Sequence, residues 1–179
     1  MDRKKARVII DEELIARIAQ GDNEALTGLY ELSYKPVFAL LLSCTHNYHD
    51  AEDLLQETYI KICQGAYLYK PGGNPMAWIM KIAKNLYISK IRREKGIIRV
   101  DYEEAEMIPF ENITTLEDRL LLETSFRVLN SDERNVVILH VMQDLKFREI
   151  SSILDKPLGS VLSLYHRALK KLKKGLSEK

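Results

Sequence analysis

Asp50, Asp53, Gln56 and Glu57 fall at i, i+3, i+6 and i+7, which on a helix gathers them on one acceptor-rich face with no cation among them. Such a face fits an Arg- or Lys-rich partner. The enzymatic alternative makes Asp53 and Glu57 a carboxylate pair for acid–base work or metal binding. A di-metal bundle needs Glu-x-x-His on two helices, and no such pair is present, so catalysis is the weaker reading. Cys44, His46, His49 and Cys63 carry metal-competent atoms, but C-x-H-x-x-H followed by one distant Cys matches no structural zinc spacing. The two cysteines form neither a CxxC pair nor a disulfide framework and read as small, reduced core residues. No metal and no cofactor are expected. Tyr67, Tyr69 and Trp78 bracket Lys70-Pro71-Gly72-Gly73-Asn74-Pro75, and Lys81, Lys84, Asn85 and Arg92 follow. Stacking faces, exposed loop backbone and a cationic helix together suit a single strand with a base drawn from its stack. Ser160, Ser163, His166 and Arg167 fall on one side of a last helix, where they suit a major groove, while Lys170, Lys171, Lys173 and Lys174 add affinity for any phosphate backbone.

These residues need elements to position them. The chain has 179 residues, with 27 Lys+Arg against 26 Asp+Glu, 30% charged and 46% hydrophobic residues. That fits one medium or two small domains with a packed core, and excludes both a large multidomain enzyme and a disordered chain. The longest apolar run, Val37 to Leu42, is far shorter than the roughly 20 residues of a membrane span. The apolar stretch after the basic N-terminus is too short for a signal peptide, so a cytoplasmic protein is expected. Charge is segmented: Lys81 to Arg99 holds seven bases and one acid, Asp101 to Asp118 seven acids and no base, Arg167 to Lys179 six bases and one acid. Two polyanion contacts joined by an acidic tether would look like this.

Apolar residues recur at helical spacing almost throughout, so the fold is read as all-α. The pattern predicts a short helix over Leu14 to Ala19 and a second from near Glu24 toward Cys44, kinked or interrupted at Pro36. A third is capped by Asp50, and a fourth from about Pro75 to Lys95 buries Ile79, Ile82, Ala83 and Leu86. Residues 97–116 lack a period and read as a flexible linker in which Ile108, Phe110 and Ile113 are free to dock. Helices resume at Leu120 to Leu129, Asp132 to Met142, Phe147 to Leu154 and Leu158 to Leu176. The last two, separated by Asp155-Lys156-Pro157, have helix-turn-helix proportions. A C-terminal unit of about 60 residues is marginal alone and should lean on its neighbour or its ligand.

Three stretches carry a resemblance. DAEDLLQETYIKI (Asp50 to Ile62) is similar to the core-binding helix of region two in the extracytoplasmic-function sigma factors of bacterial RNA polymerase. AWIMKIAKNLYISKIRREK (Ala77 to Lys95) resembles their promoter-melting helix, and FREISSILDKPLGSVLSLYHRALKKL (Phe147 to Leu172) their region-four helix-turn-helix. The resemblance implies two small helical domains, 1–96 and 117–179, joined by the linker 97–116. It implies that Asp50, Asp53, Gln56 and Glu57 meet the basic clamp coiled coil of the polymerase largest subunit. Tyr67, Tyr69, Asn74, Trp78, Lys81, Lys84, Asn85 and Arg92 would then contact the minus-ten element, with the Gly65 to Pro75 loop capturing a flipped base. Arg148, Ser160, Leu162, Ser163, His166, Arg167 and Lys170 would serve the minus-thirty-five element. The implied partners are core RNA polymerase, promoter DNA and an anti-sigma protein, with no small-molecule substrate.

The chain departs from the family pattern at four positions. Lys84 stands for the usual Arg, Ser89 for Asp, and Leu162 and Leu164 for two cations. A leucine at 162 suits a thymine methyl, and each lost phosphate contact flattens the salt dependence by about one log–log unit. Two other readings remain: a helix-turn-helix regulator acting without polymerase, and a polymerase-binding protein that has lost promoter readout.

Overall fold

The computed structural model describes residues 10–94, 125 and 127–177. The predicted linker 97–116, with Ile108, Phe110 and Ile113, lies outside the described residues, as does most of the helix predicted over Leu120 to Leu129. All regular structure among the described residues is helical: α1 (Glu12–Ala19), α2 (Asn23–Thr45), α3 (Tyr48–Gly65), a 3-10 turn (Ala66–Leu68) and α4 (Pro75–Glu94) form an N-terminal unit. α5 (Ser131–Val137) runs into a π-helical turn (Ile138–Met142), and α6 (Phe147–Leu154) and α7 (Leu158–Ser177) complete a C-terminal unit. No described helix is long and apolar enough to cross a membrane.

One residue joins the first two helices. Asp22 accepts from Glu24 and Ala25 N–H at 2.9 and 3.1 Å, capping α2, and from the Arg17 guanidinium at 2.8 Å. Gly21, at φ +86°, supplies the left-handed step between the helices. α2 runs uninterrupted through Pro36, contrary to the expected break. Residues from Pro36 to Cys44 are all buried, because α1, α3, α4 and α5 pack around α2. That burial outweighs the roughly 3 kcal/mol a proline costs inside a helix. Asp50 does not cap α3. His46 adopts φ 56°, which turns the chain so that Asn47 becomes the cap, its Oδ1 accepting from the Asp50 amide at 2.9 Å. Cys63 is exposed rather than in the core, since α3 turns Leu55, Tyr59 and Ile62 inward and leaves the next position outside. Along α4, Met76, Ile79, Met80 and Ala83 are buried, while Ile82 and Leu86 are half-buried at the core's edge.

The C-terminal unit leans on its neighbour as expected. Val136, Ile138, Leu139, Leu145, Ile150, Ile153 and Leu154 belong to the same buried cluster as Leu40, Leu41, Ile79 and Met80. Among the described residues, Leu129, Val137, Ala168 and Leu172 form a separate small core. An Asn130–Glu133 capping box starts α5, and Glu133, itself buried, also accepts from Lys171 of α7 at 2.7 Å. His140, Phe147 and Tyr165 stack beneath the helix-turn-helix, with ring centroids 4.2 to 5.1 Å apart.

Candidate nucleic-acid and partner interface

α3 buries Ala51, Leu54, Leu55, Thr58, Tyr59 and Ile62, which leaves Asp53, Gln56 and Glu57 along its outer face, Asp53 and Gln56 exposed and Glu57 half-buried. Among the described residues these three side chains have no ion pair or hydrogen-bond partner. Asp50 differs. Lys90 of α4 pairs with it, and Lys90 also lies 3.9 Å from Glu94, so the first turn of the face is not cation-free as its sequence suggests. Asp53 and Glu57 line a groove of about 240 Å³ with Lys90, Arg93 and Glu94. Ile60, 55% exposed, extends the face with an apolar end.

Past α3, the aromatic residues separate by role. Tyr67 is 71% exposed on the 3-10 turn and offers a free ring. Tyr69 is half-buried. Its ring packs edge-on against Trp78 at 5.3 Å, and its hydroxyl donates to Glu12 Oε1 at 2.7 Å. Burial, and then the Glu12 carboxylate, push the Tyr69 phenol well above its ordinary pKa. Glu12 also accepts the Gly72 amide, at 2.9 Å on Oε1 and 3.0 Å on Oε2. The Gly72 amide, followed by the Tyr69 hydroxyl, holds the Glu12 carboxyl below its usual range. Asn74 starts α4, its Oδ1 accepting from Met76 and Ala77 N–H at 3.1 and 3.4 Å.

Two candidate promoter contacts bond to the C-terminal unit, and a third, Lys84, is held within the N-terminal unit. The Asn74 amide donates to Glu149 Oε1 of α6 at 2.8 Å, and Lys81 donates to the Ser152 carbonyl. Lys84 lies 3.4 Å from Cys44 Sγ and over the Tyr87 ring at 4.8 Å. Beside it, Asn135 of α5 accepts from the Ser43 hydroxyl at 2.9 Å and the Cys44 thiol at 3.6 Å, and Arg134 meets His46 Nε2 at 2.9 Å. Burial raises the Cys44 thiol pKa despite the nearby Lys84. Burial, then the Arg134 charge, lowers that of His46. Asn85 and Arg92 are instead exposed. A cavity of about 690 Å³ lies along the joint, between the Gly72–Met76 segment and Gln143, Asp144, Lys146 and Glu149.

In the helix-turn-helix, Asp155 at φ 52° ends α6 and the Ser151 hydroxyl donates to the Lys156 carbonyl at 2.6 Å, which fixes the turn. Arg148, Ser160, Ser163, His166, Arg167 and Lys170 are all exposed, as a groove-reading face requires. Leu162 is half-buried. Leu164, 6% exposed, belongs to the core with Val161, so its apolar character serves packing. Leu169 is 40% exposed. Sequence reasoning missed Glu12, Asn135 and Glu149. Each acts across more than 70 positions or, for Glu12, about 60, and no local pattern marks such a partner. No group of three His, Cys, Asp or Glu side chains suited to a metal occurs among the described residues.

Comparison with known proteins gives two family matches: "Sigma-70 region 2" over residues 29–97 and "Sigma-70, region 4" over 119–172. The ECF RNA polymerase sigma factor SigW of Bacillus subtilis is 25% identical over 178 residues, covering 92% of this chain and 95% of that protein. SigE of Mycolicibacterium smegmatis, also an ECF RNA polymerase sigma factor, is 31% identical over 171 residues, covering 89% of this chain and 66% of that protein. Among solved structures, CnrH in complex with the cytosolic domain of CnrY has a similar fold, with TM-score 0.64 at 20% identity over 94% of this chain and 98% of that one. RpoE in complex with the anti-sigma factor NepR from Bartonella quintana also scores 0.64 at 20% identity, over 84% of this chain and 96% of that one.

Proposed function

The chain belongs to the extracytoplasmic-function group of the sigma-70 family, factors that direct promoter-specific transcription initiation by RNA polymerase and catalyse no reaction themselves, and on that footing we propose how its surfaces divide the work. Residues 1–96 dock on core polymerase and engage the minus-ten element in the cytoplasm. Residues 97–116 are the acidic tether, and 117–179 read the minus-thirty-five element.

The observation that carries this reading is α3. Its inner face is fixed in the core, while Asp53, Gln56 and Glu57 lie on the outer face, a placement that fits docking on the basic clamp coiled coil of the largest subunit. Exposed Asn85 and Arg92 fit the melted strand, as do Tyr67 and the Gly72–Asn74 loop. Exposed Arg148, Ser163, His166, Arg167 and Lys170 fit the minus-thirty-five duplex, with Ser160 and Leu162 beside them. Because Asn74 and Lys81 are bonded to α6, minus-ten contact requires the two helical units to part. Polymerase then holds both at one promoter, so the second DNA contact becomes effectively intramolecular. A partner of the anti-sigma class regulates the factor by keeping the units together. Leu164 is buried in the core, so this departure from the family pattern serves packing.

Run-off transcription with purified core polymerase tests the assignment. Glu57→Lys is expected to weaken core binding more than tenfold, since truncating or reversing an interfacial charge costs about 2–5 kcal/mol. Asn85→Ala should bind core normally and open the promoter poorly. Normal transcription by both variants would overturn the assignment.

A further inference from the structure

The geometry points to Glu12 as a positioning residue for the minus-ten loop: its carboxylate fixes the Tyr69–Asn74 segment in the shape that receives a flipped base. This inference rests on the reading of that loop as the base-capture element. Glu12 opens α1, where Asp11 caps the helix by accepting from the Glu13 amide at 3.0 Å. From there its side chain crosses to a segment nearly 60 positions away. It receives the Tyr69 hydroxyl at 2.7 Å and the Gly72 amide at 2.9 and 3.0 Å on its two oxygens.

These bonds hold the part of the chain least able to hold itself. Gly72 sits at φ +85°, and a Cβ on Gly73 would lie 3.4 Å from both the Lys70 carbonyl and the Tyr69 hydroxyl. Gly73 therefore closes over the hydroxyl that Glu12 accepts, while Gly72 supplies the left-handed step beside it. Tyr69 passes the restraint to Trp78 on α4 through their edge-on contact at 5.3 Å. The loop is thus tied at its middle to α1 and at its start to α4, while Asn74 caps its end. Without the carboxylate, a Gly-Gly segment samples many shapes, and base binding must then carry the cost of ordering it. Glu12 touches no base in this arrangement and acts only through the loop.

The test uses the full chain with core polymerase. Forked templates carry each of the four bases, or an abasic site, at the flipped minus-ten position, and the readout is open-complex lifetime. Wild type should favour one base over the abasic template. Glu12→Ala should shrink that preference roughly three- to tenfold, the exposure of the site limiting the effect. Glu12→Gln keeps an acceptor oxygen and should restore most of it, and Tyr69→Phe should lose part of it. Core affinity should stay within about twofold for all three, a split that general unfolding would not produce. A wild-type preference retained in both Glu12→Ala and Tyr69→Phe overturns the positioning role. If removing Gly72 and Gly73 also leaves the preference intact, or wild type shows none, the base-capture reading of the loop falls and the inference falls with it.

Discussion

Asn135 stands in a run, Asn-Val-Val-Ile-Leu, that reads as core, yet its carboxamide carries much of the polar joint between the two units. Its oxygen accepts from Ser43 and faces Cys44 with 2% of the residue exposed. Asn135→Leu leaves the Ser43 hydroxyl without that acceptor, at a cost of about 1–3 kcal/mol to the joined state. Maleimide should then reach Cys44 several-fold faster, with exposed Cys63 as the internal reference. His46 makes the same joint depend on pH. Burial, and then the Arg134 charge, hold its imidazole pKa below the ordinary 6.5. A group whose pKa is depressed in the joint contributes in full above the ordinary value and progressively less as pH falls beneath it. X-ray scattering should therefore show a larger radius of gyration at about pH 5.5 than at neutrality, and His46→Asn should flatten that response. None of this was legible in the chain, because a buried polar residue reveals its partner only once both helices are placed. The outer face of α3 was legible, since helical spacing alone gathers Asp53, Gln56 and Glu57.

At the scale of elements, periodicity placed the described helices α1 to α7 within a few residues, and the differences have local causes. The start of α3 was misplaced because the left-handed turn at His46 hands the cap to Asn47, a geometry that a row of acids conceals. Pro36 suggested a break, but burial on every side of α2 is a tertiary effect that no propensity anticipates. The same burial makes α2 the most sensitive element. Leu40→Ala, at a position with no exposed surface, is expected to cost about 2–5 kcal/mol and lower Tm by several degrees in a calorimetric scan. In α7 the inward row Val161, Leu164, Ala168 and Leu172 shows why a leucine replaced a cation. Position 164 is needed for packing, so in the proposed reading promoter contact is left to the neighbouring exposed residues.

For the molecule as a whole, the joined arrangement and the proposed task require different shapes. Asn74 and Lys81 cannot serve α6 and DNA at once. A donor dye on Cys63 and an acceptor on Lys174→Cys, in a Cys44→Ser background, should lose transfer efficiency when core polymerase is added. Glu57→Lys should suppress that loss. Segmented charge was legible from the order of residues along the chain, and the need of a small C-terminal unit for support from its length. The identity of the supporting surface was not, because α2 and α4 reach it only through three-dimensional packing.

That support has a thermal signature. Ile150, Ile153 and Leu154 share one greasy interior with Leu40 and Ile79, so pulling the halves apart wets apolar carbon and carries a positive heat-capacity change. Hydrophobic adhesion weakens on cooling. The factor should accordingly spring open more readily in the cold, with promoter engagement inheriting a built-in thermometer.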